Sequence, residues 1–244
     1  MKIRAILVAN STFAVLLCFG CGRSPGRPGP GSEVIRPSQI MAFSTLFAQN
    51  CAGCHGADGR GGAAVPLHDP VFLAIADDSV IRRTTAKGVP ETPMPAFAQS
   101  SGGMLTDGQI DAIVAGIRSW AQPEALRDIT VPSYGVQTSG DPKRGADVYE
   151  TYCSACHGPD GKGGKKGSSI VNGSFLALVS DQNLRTTVIV GRPELGAPDW
   201  RSDVPGHPMS AQEISDVVAW LAARRSQLPG QPYPNRVAVL GGRP

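Results

Sequence analysis

Cysteine and histidine stand together twice in this 244-residue chain, as Cys51-Ala52-Gly53-Cys54-His55 and as Cys153-Ser154-Ala155-Cys156-His157. The spacing C-x-x-C-H is the attachment signature of a c-type haem, and each part of it has a chemical use. Two thiols add across the two vinyl groups of the porphyrin. Two intervening residues let both sulfurs reach one porphyrin edge. The adjoining histidine then lies under the iron as its proximal ligand, His55 in one copy and His157 in the other. A haem held this way moves single electrons, and the protein sets its potential.

Two other chemistries use parts of the pattern. Zinc takes four ligands, and each cluster would have to find a fourth in a chain with only four His. A thioredoxin-like Cys pair needs a βαβ context, which the sequence lacks. Two copies, each opening a similar segment, favour haem.

The elements that must hold these motifs repeat as well. Cys51 aligns with Cys153 at an offset of 102, and Ile110 with Ile214 at 104. Between them, Phe72-Leu73 aligns with Phe175-Leu176, Arg82 with Arg185, and Gly88, Pro90 and Glu91 with Gly191, Pro193 and Glu194, all at 103. Each unit reads as helix, motif, loops, short helix, loop, helix. Asp141-Pro142 starts the second unit's opening helix, a cap residue with Pro at the first helical position. Thr106-x-x-Gln109 and Ser210-x-x-Glu213 are capping boxes that start the closing helices. Those helices continue with Ile110, Ile113, Val114, Ile117 and with Ile214, Val217, Val218, Leu221, one apolar face each. No alternating strand pattern of any length is present. With 30 Gly and 21 Pro but few aromatics, the composition predicts short helices joined by long irregular loops.

The start of the chain reads as an address. Lys2 and Arg4 precede an apolar run from Ile6 to Gly20, interrupted by Asn10-Ser11-Thr12. That is short of the about 20 apolar residues a membrane span needs and fits an export signal over residues 1–20. Leu17-Cys18-Phe19-Gly20-Cys21 resembles a bacterial lipoprotein cleavage box, with Cys18 where Leu is usual. The expectation is lipidation of Cys21; the alternative is ordinary cleavage near Gly22 or Ser24. Several acyl chains hold a domain on a bilayer where one binds only marginally. Residues 21–37 have little to bury and read as a disordered tether, spanning on the order of 20–25 Å. Losing Lys2 and Arg4 with the leader lowers the formal charge from +3 to +1. Nucleic-acid binding, which wants a strongly basic face, is excluded.

These features resemble class I cytochrome c, and the doubled unit resembles the two-haem members of that family. The resemblance covers residues 38–125 and 140–225, joined by a linker over 126–139 and followed by an irregular tail over 226–244. It implies an all-α fold of two tandem domains, each small and built around a covalently bound haem c. In that family the first and last helices cross at a small residue facing an aromatic one. Gly145 and Trp220 fit this in the second unit, whereas Phe43 and Gly116 stand at those places in the first. We read this as a swap of large and small across one crossing, with Phe43 over Gly116 and Trp220 over Gly145.

The resemblance also implies a methionine on the open side of each iron. Met94, in Thr92-Pro93-Met94-Pro95, fits the first unit, with Met104 as its rival. In the second unit the aligned residue is Ala197, which cannot ligate iron. Either Met209 reaches the iron, although it aligns with Leu105, or His207 does so, or the site is open. Met209 is the expectation. His68 reads as a solvent-facing loop histidine. Arg82 and Arg185 read either as partners of haem propionates or as part of an exposed helix face, and Lys162, Lys165 and Lys166 as a solvated basic loop. No catalytic residue and no small-molecule substrate are expected. The function implied is an exported electron carrier on the periplasmic side of a membrane, exchanging electrons with protein redox partners. The alternatives are a two-haem peroxidase-like enzyme with an open second iron, and a fixed electron-entry subunit of a larger oxidoreductase complex.

Overall fold

The computed structural model describes residues 34–226 apart from Glu91, Asp203 and Pro205. The leader, Cys21, most of the expected tether and nearly all of the tail therefore lie outside the described residues. Residues 34–39 belong to a unit of their own and form one 3₁₀ turn, Pro37–Gln39. From Ile40 onward the described residues form one compact unit of α-helices, with isolated β-bridges and no strand. None of the described helices is long and apolar enough to cross a membrane.

The described α-helices come in two sets of five. The first set is α1 Phe43–Asn50, α2 Ala52–His55, α3 Pro70–Ile75, α4 Asp78–Lys87 and α5 Asp107–Arg118. The second is α6 Pro142–Tyr152, α7 Ser154–His157, α8 Gly173–Ala177, α9 Asp181–Val190 and α10 Ala211–Ala222. Side-chain caps fix most starts. Asp69 accepts from the Val71 and Phe72 amides, Asp77 from Val80, Asn172 from Ser174 and Phe175, and Ser180 from Asn183. Asp141 caps α6 with Pro142 at the first helical position, and both expected capping boxes are present. The apolar faces read from the sequence are buried, with Ile110, Ile113 and Ile214 fully enclosed.

Each first helix crosses its closing helix where one side has no side chain. A Cβ on Gly116 would lie 2.1 Å from the Phe43 ring. A Cβ on Gly145 would lie 2.1 Å from the Asp216 carbonyl oxygen and 2.7 Å from the Trp220 Cβ. Large faces small in opposite senses, as the sequence indicates. The structure adds a compensation one helical turn further on. Trp120, four residues after Gly116, packs edge-on against Phe43 and Phe47 with both centroids 5.2 Å away. Its ring covers Gly59, whereas in the second set Trp220 covers the matching Gly161. A stitch is displaced by about one turn in the opposite direction. Arg118 donates to the Leu73 and Ala76 carbonyls and pairs with Asp78 at 2.6 Å. Arg225 donates to Leu176 and Val179 and pairs with Asp181.

The second crossing is closed by a charge. Asp216, almost wholly buried, accepts from the Asp141 amide at 2.7 Å, from Arg144 at 2.8 and 2.9 Å, and from Gln212 at 2.9 Å. The Arg144 hydrogen bonds lead in holding its carboxyl below the ordinary value of 3.8, against desolvation. A depressed folded-state pKa gives stability that is full above the unfolded value and lost as pH falls through the folded one. Asp216→Asn is therefore expected to lower the urea midpoint near neutral pH and to flatten its fall below pH 4. Losing these bonds costs about 1–3 kcal/mol. Parallel urea titrations of both proteins between pH 2.5 and 6 check this.

Two side chains depart from the sequence reading, and Arg82 takes one of the two places it offered. His68 is half-buried: it stacks on Trp120 at 4.8 Å and 11°, with Nδ1 3.0 Å from the Asp58 carbonyl oxygen. Arg82 lies on an exposed helix face, paired with Asp107 and Asp111. Its counterpart Arg185 is fully buried. It donates to the Ser133 and Tyr134 carbonyls and to Ser215 Oγ, and so grips the segment between the two helix sets.

Candidate haem-binding site

Each motif sits at a bend between a long helix and one short turn. Cys51 closes α1 and opens α2, and Cys153 does the same for α6 and α7. The turn brings His55 into the interior and leaves Cys54 exposed, with Cys156 and His157 half-buried. Gly56 follows at φ +85°, a left-handed conformation, and a Cβ there would lie 1.6 Å from the Arg60 carbonyl oxygen. Cys51 is buried, and burial, then its neighbour Cys54, push its thiol up to about 11. Burial and then Cys156 do the same to Cys153. None of the four motif cysteines is in a disulfide.

The histidines carry the clearest geometric sign. His55 Nδ1 lies 2.8 Å from the Val65 carbonyl oxygen, and His157 Nδ1 lies 2.7 Å from that of Ser168. A carbonyl only accepts, so each Nδ1 carries the hydrogen and each Nε2 keeps a bare lone pair. His55 Nε2 is buried with no hydrogen-bond partner. Buried polar atoms are nearly always satisfied, so an orphaned nitrogen beside two thiols needs an electrophile. Burial also lowers the pKa of His55, against the Val65 contact, which keeps the ring neutral and able to ligate. A donor to a backbone carbonyl on the far nitrogen is the usual support of a metal-bound imidazole. The residues present fit a covalently attached haem. Sequence reasoning missed Val65 and Ser168, since a backbone acceptor leaves no mark on residue type.

The loops that follow α4 and α9 agree in register and differ in side chain. The Val89 amide donates to the Met94 carbonyl at 3.0 Å, and the Arg192 amide to the Ala197 carbonyl at 3.0 Å. Leu105 donates to the Phe97 carbonyl at 2.8 Å, and Met209 to that of Trp200 at 2.7 Å. Ala197 thus takes the backbone place of Met94, and Met209 that of Leu105. Met94 is half-buried, and its amide donates to Thr92 Oγ1 at 3.2 Å. Met209 is buried directly before the cap of α10, His207 is exposed, and Met104 is 83% exposed.

Known proteins divide along the same lines. The family model described as cytochrome C oxidase, cbb3-type, subunit III matches residues 38–115 and again 140–221. The chain is 26% identical over 215 residues to the cytochrome bc1 complex cytochrome c subunit of Mycobacterium tuberculosis, over 83% of this chain and 71% of that protein. It is 29% identical over 147 residues to the cbb3-type cytochrome c oxidase subunit CcoP of Azospirillum sp.. That alignment covers 54% of this chain and 45% of that protein. A solved Kuenenia stuttgartiensis reducing HAO-like protein complex aligns at 19% identity over 75% of this chain and 96% of that one, with a TM-score of 0.46. Such a likeness is too slight to bear on the fold. The family model fits twice, once around each motif, and takes in well over half of the residues. The chain accordingly belongs to the cytochrome c oxidase, cbb3-type, subunit III family, as an all-α cytochrome c that carries two haem c groups and transfers electrons without being an enzyme in its own right.

Proposed function

We propose that this chain is an exported electron relay, held to a membrane by its N-terminus and docked on a respiratory complex. Cys51 and Cys54 hold one haem, and Cys153 and Cys156 the other. Each thiol adds its sulfur and its hydrogen across one vinyl double bond, so attachment consumes no oxidant. Bound haem supplies reversible one-electron exchange at its iron. His55 and His157 bind iron through Nε2, and the Val65 and Ser168 carbonyls hold the rings against rotation. The orphaned His55 Nε2 carries this reading. Mass spectrometry of the mature protein, expected to give two added haem masses, tests it.

Met94 takes the far side of the first iron, in a loop stiffened by Pro93 and Pro95 and by the Thr92 hydroxyl. Met209 takes that of the second. It is the sole methionine between His157 and the end of the chain, and its unbranched side chain reaches further than the Leu105 it replaces. A thioether raises the haem potential relative to imidazole. Met94→His is therefore expected to move one midpoint negative, within the roughly 0.8 V range that axial ligands span, and to leave the other in place. A spectrally resolved redox titration checks this. Met209→Leu, followed by optical spectra, should convert the second haem alone to high spin; an unchanged spectrum assigns the second iron another ligand.

Export and anchoring rest on the leader pattern and on Cys21. Cys21→Ser is expected to move the holoprotein from the membrane to the soluble fraction. The relatives named as subunits of bc1 and cbb3 complexes favour a fixed site on such a complex over free diffusion. Co-purification of a larger oxidoreductase with the tagged chain from solubilised membranes tests that choice.

A further inference from the structure

Arg192 joins the two halves at a chemically informative place. Its guanidinium Nη2 donates to the Gly62 carbonyl at 2.6 Å, while Nε pairs with Glu194 at 2.6 Å. Gly62 lies flat on the first motif: a Cβ there would sit 2.1 Å from the Cys54 carbonyl oxygen and 2.6 Å from the His55 carbonyl carbon. Two residues on, the Ala64 amide donates to the Cys54 carbonyl at 2.9 Å. The next carbonyl, that of Val65, orients the His55 ring. Residues 62–65 therefore form the cradle of the first histidine, and Arg192 grips that cradle from the other domain.

On its own side, Arg192 is fixed within the loop that follows α9. Its amide donates to Ala197, and its carbonyl accepts from Ala197, both at 3.0 Å. Ala197 holds the place of Met94 in that loop. The first domain has Val89 at the register of Arg192, a side chain with no donor, so this grip exists in one direction only. The segment between the domains is itself held to the second one, since the Tyr134 carbonyl accepts from Arg185 and Gln182.

We infer that Arg192 is a positioning residue for electron transfer between the two haems. One guanidinium links the cradle of the first proximal histidine to the loop of the second domain that carries Ala197, and so sets how the two halves face each other. This rests on the reading of both motifs as haem sites. A rigid, forked, always-charged group suits the task, because it holds carbonyls at fixed angles in a way an ammonium does not. The electron step moves one electron from the reduced iron to the oxidised one and needs no further reactant.

The test uses the full two-haem protein with Arg192→Ala and Arg192→Lys, and Arg82→Ala as a surface control. In half-reduced samples, the interhaem rate is followed after flash reduction of one haem. Arg192→Ala is expected to slow it by about tenfold or more, as small misplacements do in positioned reactions. Arg192→Lys should give an intermediate rate and Arg82→Ala the parent rate, with haem content and helicity unchanged throughout. Two haems with a parent-like rate in Arg192→Ala would overturn the inference while leaving the haem assignment intact. Absence of haem from the parent protein would instead overturn the assignment. If Arg192→Ala does not accumulate, the lysine variant decides: a parent-like rate removes the role, and a slowed one keeps it.

Discussion

With both cysteine pairs replaced by serine, the chain is expected to lose covalent haem and most of its helical ellipticity. Each half of this protein is small, and small domains bury too little apolar surface to stand far above the unfolded state. Four of its ten described α-helices are very short: α2 and α7 have four residues each, α8 has five and α3 has six. Isolated helices of that length do not hold in water. The interior also carries a buried nitrogen, His55 Nε2, whose missing partner costs about 1–3 kcal/mol. A ligand that binds only the folded state adds its binding free energy to stability, and a covalent tie keeps that ligand at the site. Replacing the first pair alone should leave one haem and a folded second half. Pyridine haemochrome content and far-ultraviolet circular dichroism measure both outcomes; native-like ellipticity without haem would mean that the polypeptide packs unaided.

The second large effect falls at a helix crossing. Gly145→Ala places a methyl group 2.1 Å from the backbone carbonyl oxygen of Asp216. Backbone cannot turn aside as a side chain can, so α6 must move off α10, and the Tyr149–Trp220 stack and the Asp216 hydrogen bonds move with it. Overpacking costs about 1–3 kcal/mol and occasionally more; with backbone as the obstacle we expect about 3 kcal/mol or above. For a domain of this size that is a loss of at least about 12 °C in melting temperature. Gly116→Ala is the control, because its obstacle is the Phe43 ring, which can rotate. Scanning calorimetry of the two holoproteins should give the larger drop for Gly145→Ala; equal drops would show that α6 shifts as easily as a ring turns.

The sequence carried those parts of the fold that local chemistry specifies. Both C-x-x-C-H motifs, both capping boxes and the start of α6 at Asp141-Pro142 are short-range patterns, and the structure has them where they were read. The Phe43–Gly116 contact was legible because two copies could be laid side by side. What stayed hidden depends on partners far along the chain. Trp120 takes over the place of Trp220 from one turn later, which an alignment by position cannot reveal. Arg185 has the same residue type as the exposed Arg82, yet it is buried because backbone carbonyls from 52 and 51 residues away meet it. Val65, Ser168 and Gly62 act through main-chain oxygens, which every residue has. The ligand of the second iron is a question of reach within a loop: register puts Ala197, which cannot ligate, in the place of Met94, and does not choose among Met209, His207 and an open site.

Duplicated halves in one polypeptide run a particular risk: a helix from one copy can dock on its twin's partner and trap the chain in a tangled state. Here the inverted contacts discriminate. Were α1 to settle on α10, the Phe43 ring would collide with the indole of Trp220; were α6 to settle on α5, Gly145 would face Gly116 across an empty gap. Each opening helix thus accepts its own closing helix and rejects the other, one by collision and one by emptiness. Two near-copies can therefore be threaded in sequence during synthesis and still sort themselves correctly.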